Sequence, residues 1–323
     1  MQIAHLPAYR KMGYNVVGLC DVVEETTHTV AERFDVPFWT TNLDELLARD
    51  DVKVIDLAVH ANMRLPLVER IAAAGKHILS QKPFAMNLQD AEKMVDICER
   101  AGVTIMVNQQ ARWAPAHRAL KVLVDKGVLG HVSSVVHVHR SFQDIPGSWY
   151  INLKDFNLMD HGIHYIDLTR YFTGKTPTRV KATTVNVPGQ LAISPMMYSI
   201  LCEYAPEDAL MSTVHFNNIV GSPRTHEYTW YLDGTKGSAV ATHERVTIAL
   251  NDTPDDIHVI KLQGTWFYDA FGASMGEMLS ALHEGRAPLT VARDNLETIR
   301  LANAALISLN TGKAIDLRTQ QPV

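Results

Sequence analysis

Cysteine is scarce. Cys20, Cys98 and Cys202 are the only three in 323 residues, an odd number at wide spacing. That excludes a disulfide framework and a paired-cysteine metal site, and it reads as the reduced thiols of a cytoplasmic protein. No stretch approaches the ~18 uninterrupted apolar residues of a membrane helix. Met1 to Gly18 also lacks the basic start and apolar run of a secretory signal. Basic charge is not in excess: 30 Lys and Arg stand against 35 Asp and Glu, a net charge of −5. No cationic run is available to follow a phosphate backbone or an anionic bilayer, so nucleic acid and membrane are both disfavoured as partners. A Walker loop and a catalytic-cysteine context are missing, and Gly272-Ala-Ser-Met-Gly276 matches G-x-S-x-G only inside the helical segment Ala270 to Glu284 rather than at a strand-to-helix elbow, which leaves hydrolase and kinase chemistry without support.

What is present is an ordinary globular composition, 46% apolar and 20% charged. At roughly 150 residues per domain the length suggests two domains. The first alternates helix and short apolar strand. Ala4 to Lys11 is helical in character, and Asn15 to Asp21 is a buried strand ending in a carboxylate. Helices follow at Glu24 to Phe34 and Leu43 to Ala48, then a strand at Val52 to Val59. Leu65 to Ala74 and Leu88 to Ala101 are helices, each stopped by a glycine, and His77 to Ser80 and Val103 to Val107 are strands. Helices between short buried strands predict right-handed crossovers and a doubly wound, Rossmann-type parallel sheet of the α/β class.

After Asn108 the pattern changes. Pro115 to Lys126 predicts a helix, and then eight strand-like segments follow between Val132 and Leu262. Helices interrupt at Asp160 to Phe172 and Ala270 to Glu284, and Arg293 to Asn310 closes the chain. Alternation in Ser134-Val-Val-His-Val-His139 sets Val136 and Val138 on the face opposite His137 and His139, as in an antiparallel sheet with two unlike faces. The expected division is therefore 1–107, a dinucleotide-binding domain, and 108–323, an α+β domain with a large open antiparallel sheet for substrate binding and oligomerisation.

Asp21 ends the first strand, where an acidic residue in a dinucleotide-binding fold accepts hydrogen bonds from the adenosine ribose, or else caps the next turn. No Arg follows closely to greet a 2′-phosphate, so NAD is favoured over NADP. Fingerprint glycines belong about 20 residues before that acid, which falls at or before residue 1. The expectation is a natural product longer than these residues by one strand and a glycine turn; the alternative is a relative that has lost its cofactor. Lys82, with Pro83 after it, lies just past a strand at the carboxyl edge of the sheet, where ligands bind. Asp160, His164 and Asp167 stand at i, i+4 and i+7 on one helical face, where a His beside a carboxylate is a suitable proton-transfer pair; the alternative is a helix N-terminus with Asp160 as a first-turn acid and His164 a buried, satisfied histidine. His137 with His139, and His161 with His164, lack further ligand spacing, so no metal is expected.

Together these segments resemble the Gfo/Idh/MocA oxidoreductase family across almost the whole chain. Ala4-His-Leu-Pro-Ala-Tyr9 is similar to its first helix and Ala73-Ala-Gly-Lys-His-Ile-Leu-Ser-Gln-Lys-Pro83 to its A-G-K-H-V-x-x-E-K-P segment. Asn108-Gln-Gln-Ala-Arg-Trp-Ala-Pro115 resembles N-x-R-[FW]-x-P, and Asp160 to Leu168 resembles D-x-G-x-H-x-I-D-L. The resemblance implies that Lys82, Asp160 and His164 form the catalytic set. It implies cofactor contacts from Asp21, Ala58, His60, Asn62, Gln81, Lys82, Arg112 and Trp113. Substrate contacts are expected from Lys82, Gln110, Asp160 and His164. Gln81 departs from the family's Glu, and the glycine turn is absent.

The expected function is hydride transfer between NAD and a secondary alcohol or ketone of a sugar, glycoside, cyclitol or related polyol, by a cytoplasmic homodimer or homotetramer. Two other readings stand beside it: a non-catalytic sugar- or nucleotide-sensing protein of the same fold, and a metal-dependent isomerase or epimerase.

Overall fold

The structure, a computed structural model, describes residues 1–323. In chain order the elements are α1 (His5–Met12), β1 (Leu19–Cys20), α2 (Glu24–Phe34), β2 (Trp39–Thr40), α3 (Leu43–Leu47), β3 (Val54–Leu57), α4 (Arg64–Ala73), β4 (His77–Gln81), α5 (Leu88–Arg100) and β5 (Ile105–Asn108). There follow α6 (Pro115–Asp125), β6 (Val132–Arg140), α7 (Ile163–Thr173), β7 (Arg179–Val185), β8 (Met197–Glu203), β9 (Met211–Asn217), β10 (Glu227–Gly234), β11 (Gly237–Ala241), β12 (Arg245–Leu250) and β13 (Thr253–Lys261). The chain ends with α8 (Tyr268–Glu284), α9 (Ala292–Thr311), β14 (Ile315–Asp316) and β15 (Gln321–Pro322).

The chain forms two compact units, Met1–Ala114 with Thr265–Leu296, and Pro115–Gly264 with Glu297–Val323. This differs from the expected single division at 107/108, because α8 rejoins the first unit. The reason is local: Gly272 and Gly276 lie one helical turn apart on α8, where a Cβ would meet Met12 Cγ at 2.7 Å and the Tyr14 hydroxyl at 2.5 Å. Two missing side chains let the end of α1 and Tyr14 settle directly on α8. Phe271, Met275 and Met278 then share a buried cluster with Ala8, Tyr9, Leu79 and Met106.

In the first unit β3, β4 and β5 form a parallel sheet, with Ile55, Ile78 and Ile105 side by side across it. The expected strand at Asn15 to Asp21 is shorter. Only Leu19–Cys20 is paired, to a strand not anticipated, β2, and this parallel pair shares no ladder with β3–β4–β5. The parallel sheet is thus in two pieces, and the first helix is preceded by Met1 to Ala4, which contain no glycine.

The second unit carries one ten-stranded sheet in the order β13-β12-β11-β10-β6-β9-β8-β7-β14-β15. It is mixed rather than antiparallel as expected, since β6 and β9 run parallel, with Val135 opposite Ser212 and His137 opposite Val214. The side chains that alternate inward are buried, among them Val135, His137, Val214, Phe216, Trp230 and Leu232. Trp230 stacks on His137 at 4.1 Å and meets the Phe172 ring edge-on at 5.0 Å. Its burial makes it a principal part of this unit's core. Trp230→Ala should cost about 3–5 kcal/mol, the range for removing a buried aromatic side chain, measured by urea titration; a loss under about 1 kcal/mol would place the core elsewhere.

Candidate functional site

The carboxyl edge of β3–β4–β5 collects the residues expected to bind ligand. After β3 come Ala58, His60 and Asn62, all exposed; after β4 comes Lys82, half-buried; after β5 a 3-10 turn, Gln110–Trp113, brings buried Gln110 and Arg112 and half-buried Trp113. One residue that the sequence analysis missed holds two of these loops. Arg64, only 2% exposed, donates from Nε and Nη2 to the Val59 carbonyl at 3.0 and 2.7 Å. Its Nη1 donates to the carbonyls of Gln81, Pro83 and Phe84, the last at 3.3 Å. A buried guanidinium needs nearly all its donors matched, so the turns after β3 and β4 are tied to one side chain. Lys82 sits inside that clasp.

Gln81 is turned inward. Its Oε1 accepts the Lys82 backbone N–H at 2.7 Å and its amide nitrogen lies 3.0 Å from His5 Nε2. Arg112 donates to the Leu289 carbonyl at 3.1 Å and pairs with Asp294 at 3.4 Å, partners within its own unit. Asp21 is exposed, and its Oδ1 accepts the Val23 N–H at 3.1 Å, the turn-capping arrangement considered beside its ribose role.

A dinucleotide fits these residues at its two ends. Asp21 offers an exposed carboxylate. At the other end Ser80 Oγ, both amide atoms of Asn108 and of Gln109, and Gln110 Oε1 are buried without a hydrogen-bond partner. Such atoms cost about 1–3 kcal/mol each when unmatched, and their concentration at one sheet edge marks a place built for a polar ligand. No glycine turn for a pyrophosphate stands among Met1 to Ala4.

In the second unit the segment expected to be an α-helix from Asp160 begins as a π-helical turn, Asn157–Gly162, before α7 takes over at Ile163. A π turn advances less per residue than an α-helix, so the single face drawn for Asp160, His164 and Asp167 does not hold. Asp160 is half-buried, His164 is 6% exposed, and Asp167 is fully buried, accepting the Thr298 hydroxyl at 2.9 Å. Thr298 also accepts from Arg170 at 3.0 Å. Asp167 is therefore a structural acid.

His161, one residue after Asp160, closes a ring of hydrogen bonds whose direction follows from one backbone carbonyl. Asn157 Nδ2 donates to the Pro195 carbonyl at 3.1 Å, so its Oδ1 must accept from Asn218 Nδ2 at 2.6 Å. The second Asn218 amide hydrogen goes to His161 Nδ1 at 2.6 Å. His161 then carries its proton on Nε2 and donates to the Tyr165 oxygen at 3.0 Å; Tyr165 donates to His139 Nδ1 at 3.0 Å. His139 Nε2–H reaches Ser141 Oγ at 2.9 Å, and Ser141 donates to Asn218 Oδ1 at 2.9 Å, completing the circuit. Every hydrogen is used once, and neither His139 nor His161 keeps a lone pair for a substrate proton. No group of three or more His, Cys, Asp or Glu is arranged to hold a metal ion.

Burial, with a smaller contribution from neighbouring His161, holds the His139 imidazole down to about 3, and burial keeps His137 well below the ordinary value. Histidines of the unfolded chain protonate near about 6.5. The unfolded state therefore binds more protons as pH falls, so this stability is complete above about 6.5 and is lost toward about 3. His139→Asn should weaken that dependence by up to ~1.4 kcal/mol per pH unit, read as a shallower fall in unfolding free energy between about pH 6.5 and 4. An unchanged slope would mean that His139 titrates normally in the fold.

Comparison with known proteins agrees with this architecture. Residues 1–109 match the family described as "Oxidoreductase family, NAD-binding Rossmann fold", and residues 117–248 match the GFO/IDH/MocA C-terminal domain. A D-apiose dehydrogenase from Paraburkholderia graminis is 28% identical, the match covering 98% of this chain and 86% of the relative. Among solved structures, an oxidoreductase from Agrobacterium radiobacter in complex with NAD+, L-tartaric acid and magnesium superposes with a TM-score of 0.86 at 23% identity, over 98% of this chain and 95% of that one. Levoglucosan dehydrogenase in complex with NADH and levoglucosan gives 0.85 at 19% identity, over 97% and 95%. With both of its domains matched by the same family and its fold shared along its length, this chain belongs to the GFO/IDH/MocA oxidoreductase family.

Proposed function

We propose that the chain oxidises a secondary alcohol of a sugar, glycoside, cyclitol or related polyol with NAD, or reduces the corresponding ketone. Bound NAD supplies the hydride acceptor. Asp21 would hold its adenosine ribose, and Ala58, His60, Asn62, Trp113 and the buried amides after β5 would line the rest, with Gln81 and Arg112 shaping the site through the bonds described above.

Lys82 donates a hydrogen bond to the reacting oxygen and favours the negative charge that develops there. His164 takes the hydroxyl proton as general base. Asp160 orients His164 or a neighbouring substrate hydroxyl, and Gln110 contacts the substrate. His161, though adjacent to Asp160, is excluded from proton transfer because its nitrogens are committed to Asn218 and Tyr165. The observation that carries the reading is the anchoring of Lys82: its turn is fixed through Arg64 on one side and through Gln81 on the other, more organisation than a solvated surface charge requires. The named activity of the apiose relative makes D-apiose the first compound to try.

Lys82→Ala and His164→Ala should each lower kcat by roughly 10²–10⁴-fold, the range for a positioned acid–base group, measured as NADH formation. The NAD affinity of His164→Ala should change far less. Near-normal turnover in either variant would remove that residue from the chemistry.

The compartment and assembly belong to the same reading. Three unpaired cysteines, two of them buried with thiols pushed up to about 12, suit a reducing cytoplasm. The outer face of the ten-stranded sheet supports a homodimer or homotetramer. It aligns Val136, Val138, Thr213 and Tyr231 across β6, β9 and β10, with Leu201 36% and Val185 48% exposed farther along. A broad face of this kind is better covered than left in water. Light scattering should give a multiple of 36.0 kDa; a concentration-independent monomer mass would rule this assembly out.

A further inference from the structure

We propose that His5, Asp56 and Gln81 form a hydrogen-bonded relay that positions Lys82, with His5 held neutral and protonated on Nδ1; its link to turnover rests on the role given above to Lys82. The polarity of the relay can be read link by link. The Lys82 backbone N–H can only donate, so the Gln81 atom 2.7 Å from it is the amide oxygen. The Gln81 amide nitrogen therefore faces His5 Nε2 at 3.0 Å and donates to it. A ring nitrogen that accepts carries no proton, so the His5 hydrogen is on Nδ1, 2.6 Å from Asp56 Oδ2. The same carboxylate oxygen accepts the Tyr9 hydroxyl at 2.6 Å. Burial, and then the nearby Asp56 charge, push the Tyr9 phenol well above its ordinary value, so it remains a donor.

The setting argues for a purpose beyond filling space. Asp56 interrupts the apolar run of β3, between Ile55 and Leu57, which are both buried. Its side chain is 8% exposed and that of His5 4%. A carboxylate in such a strand is costly unless its charge is used, and its Oδ1 has no partner at all. The His5 ring is held against Phe271 at 4.5 Å between centroids, which fixes the direction of its nitrogens. Rigid support of this kind is how a residue behind the reacting groups sets their geometry, and a displacement of about 1 Å can cost on the order of a hundredfold in rate.

The relay also accounts for Gln81 where the resembled motif has Glu. A carboxylate at 81 could still accept the Lys82 N–H, but it has no hydrogen to give His5 Nε2. His5 would then have to take a second proton and lie between two carboxylates. Gln81 is the side chain that a neutral His5 requires.

The test uses the full chain with ¹⁵N-labelled histidine and three variants. In the unsubstituted protein the His5 signal, assigned by its loss in His5→Phe, should show one protonated nitrogen, Nδ1, and one bare nitrogen. In Gln81→Glu both nitrogens should become protonated. With a substrate in hand, His5→Phe, which keeps an aromatic ring but no donor or acceptor, should lower kcat about tenfold or more. His5→Gln, which can still donate to Asp56 and accept from Gln81, should recover part of the loss. A doubly protonated His5 in the unsubstituted protein, a proton on Nε2, or a kcat for His5→Phe within about twofold of normal would each overturn the proposal. The nitrogen spectrum reads the relay whether or not any polyol is oxidised, so failure of the relay and failure of the functional reading are distinguishable.

Discussion

Much of the first unit's ligand edge depends on how one buried cation satisfies itself. Arg64 is almost fully enclosed, and its acceptors are backbone carbonyls on two separate turns. Carbonyls gathered round a guanidinium cannot drift without leaving it unmatched in a place where water does not compensate. The turns after β3 and β4 are thereby fixed to each other, and the lysine carried by the second inherits their rigidity. The Gln81 amide fixes the same peptide from the opposite side.

The second unit uses the same constraint without charge. His139, Tyr165, His161, Asn218 and Ser141 form a closed circuit in which each hydrogen has one destination, and the Pro195 carbonyl decides its direction through Asn157. Asn218 holds Asn157 and His161 on one amide, at the two ends of the π-helical turn that also contains Asp160. A histidine-rich strand face could be mistaken for a metal centre, but here the imidazole nitrogens of His139 and His161 are consumed within the protein. Burial keeps the His139 imidazole neutral, as its role in the circuit requires.

Short-range pattern carried much of the fold. Apolar runs and glycine stops located β3, β4 and β5 and the helices between them to within a residue or two, because parallel strands buried on both faces leave a dense signal. Alternation around His137 and His139 sorted the two faces of β6 correctly. Long-range pairing was not legible: the parallel contact of β6 with β9, the two-residue strand β2 and the return of α8 to the first unit depend on partners far along the chain. Of the proposed site, Lys82, Asp160 and His164 are singled out by motif and position. Arg64 carries no motif that announces a buried role, and His5 and Asp56 carry no periodic signal, being 51 residues apart. A carboxylate inside the apolar run Val-Ile-Asp-Leu was the one available hint. The i, i+4, i+7 argument misplaced Asp160 relative to His164 and Asp167 because it assumed α-helical spacing through a turn that is π-helical.

These networks leave one reaction to be established, removal of hydrogen from a carbinol carbon as hydride. The most direct measurement is turnover, with NAD, of D-apiose or another accepted polyol deuterated at the carbon that is oxidised. The account predicts that the deuterium appears on the reduced nicotinamide. Loss of the deuterium to solvent, or conversion of the polyol without net reduction of NAD, would contradict it.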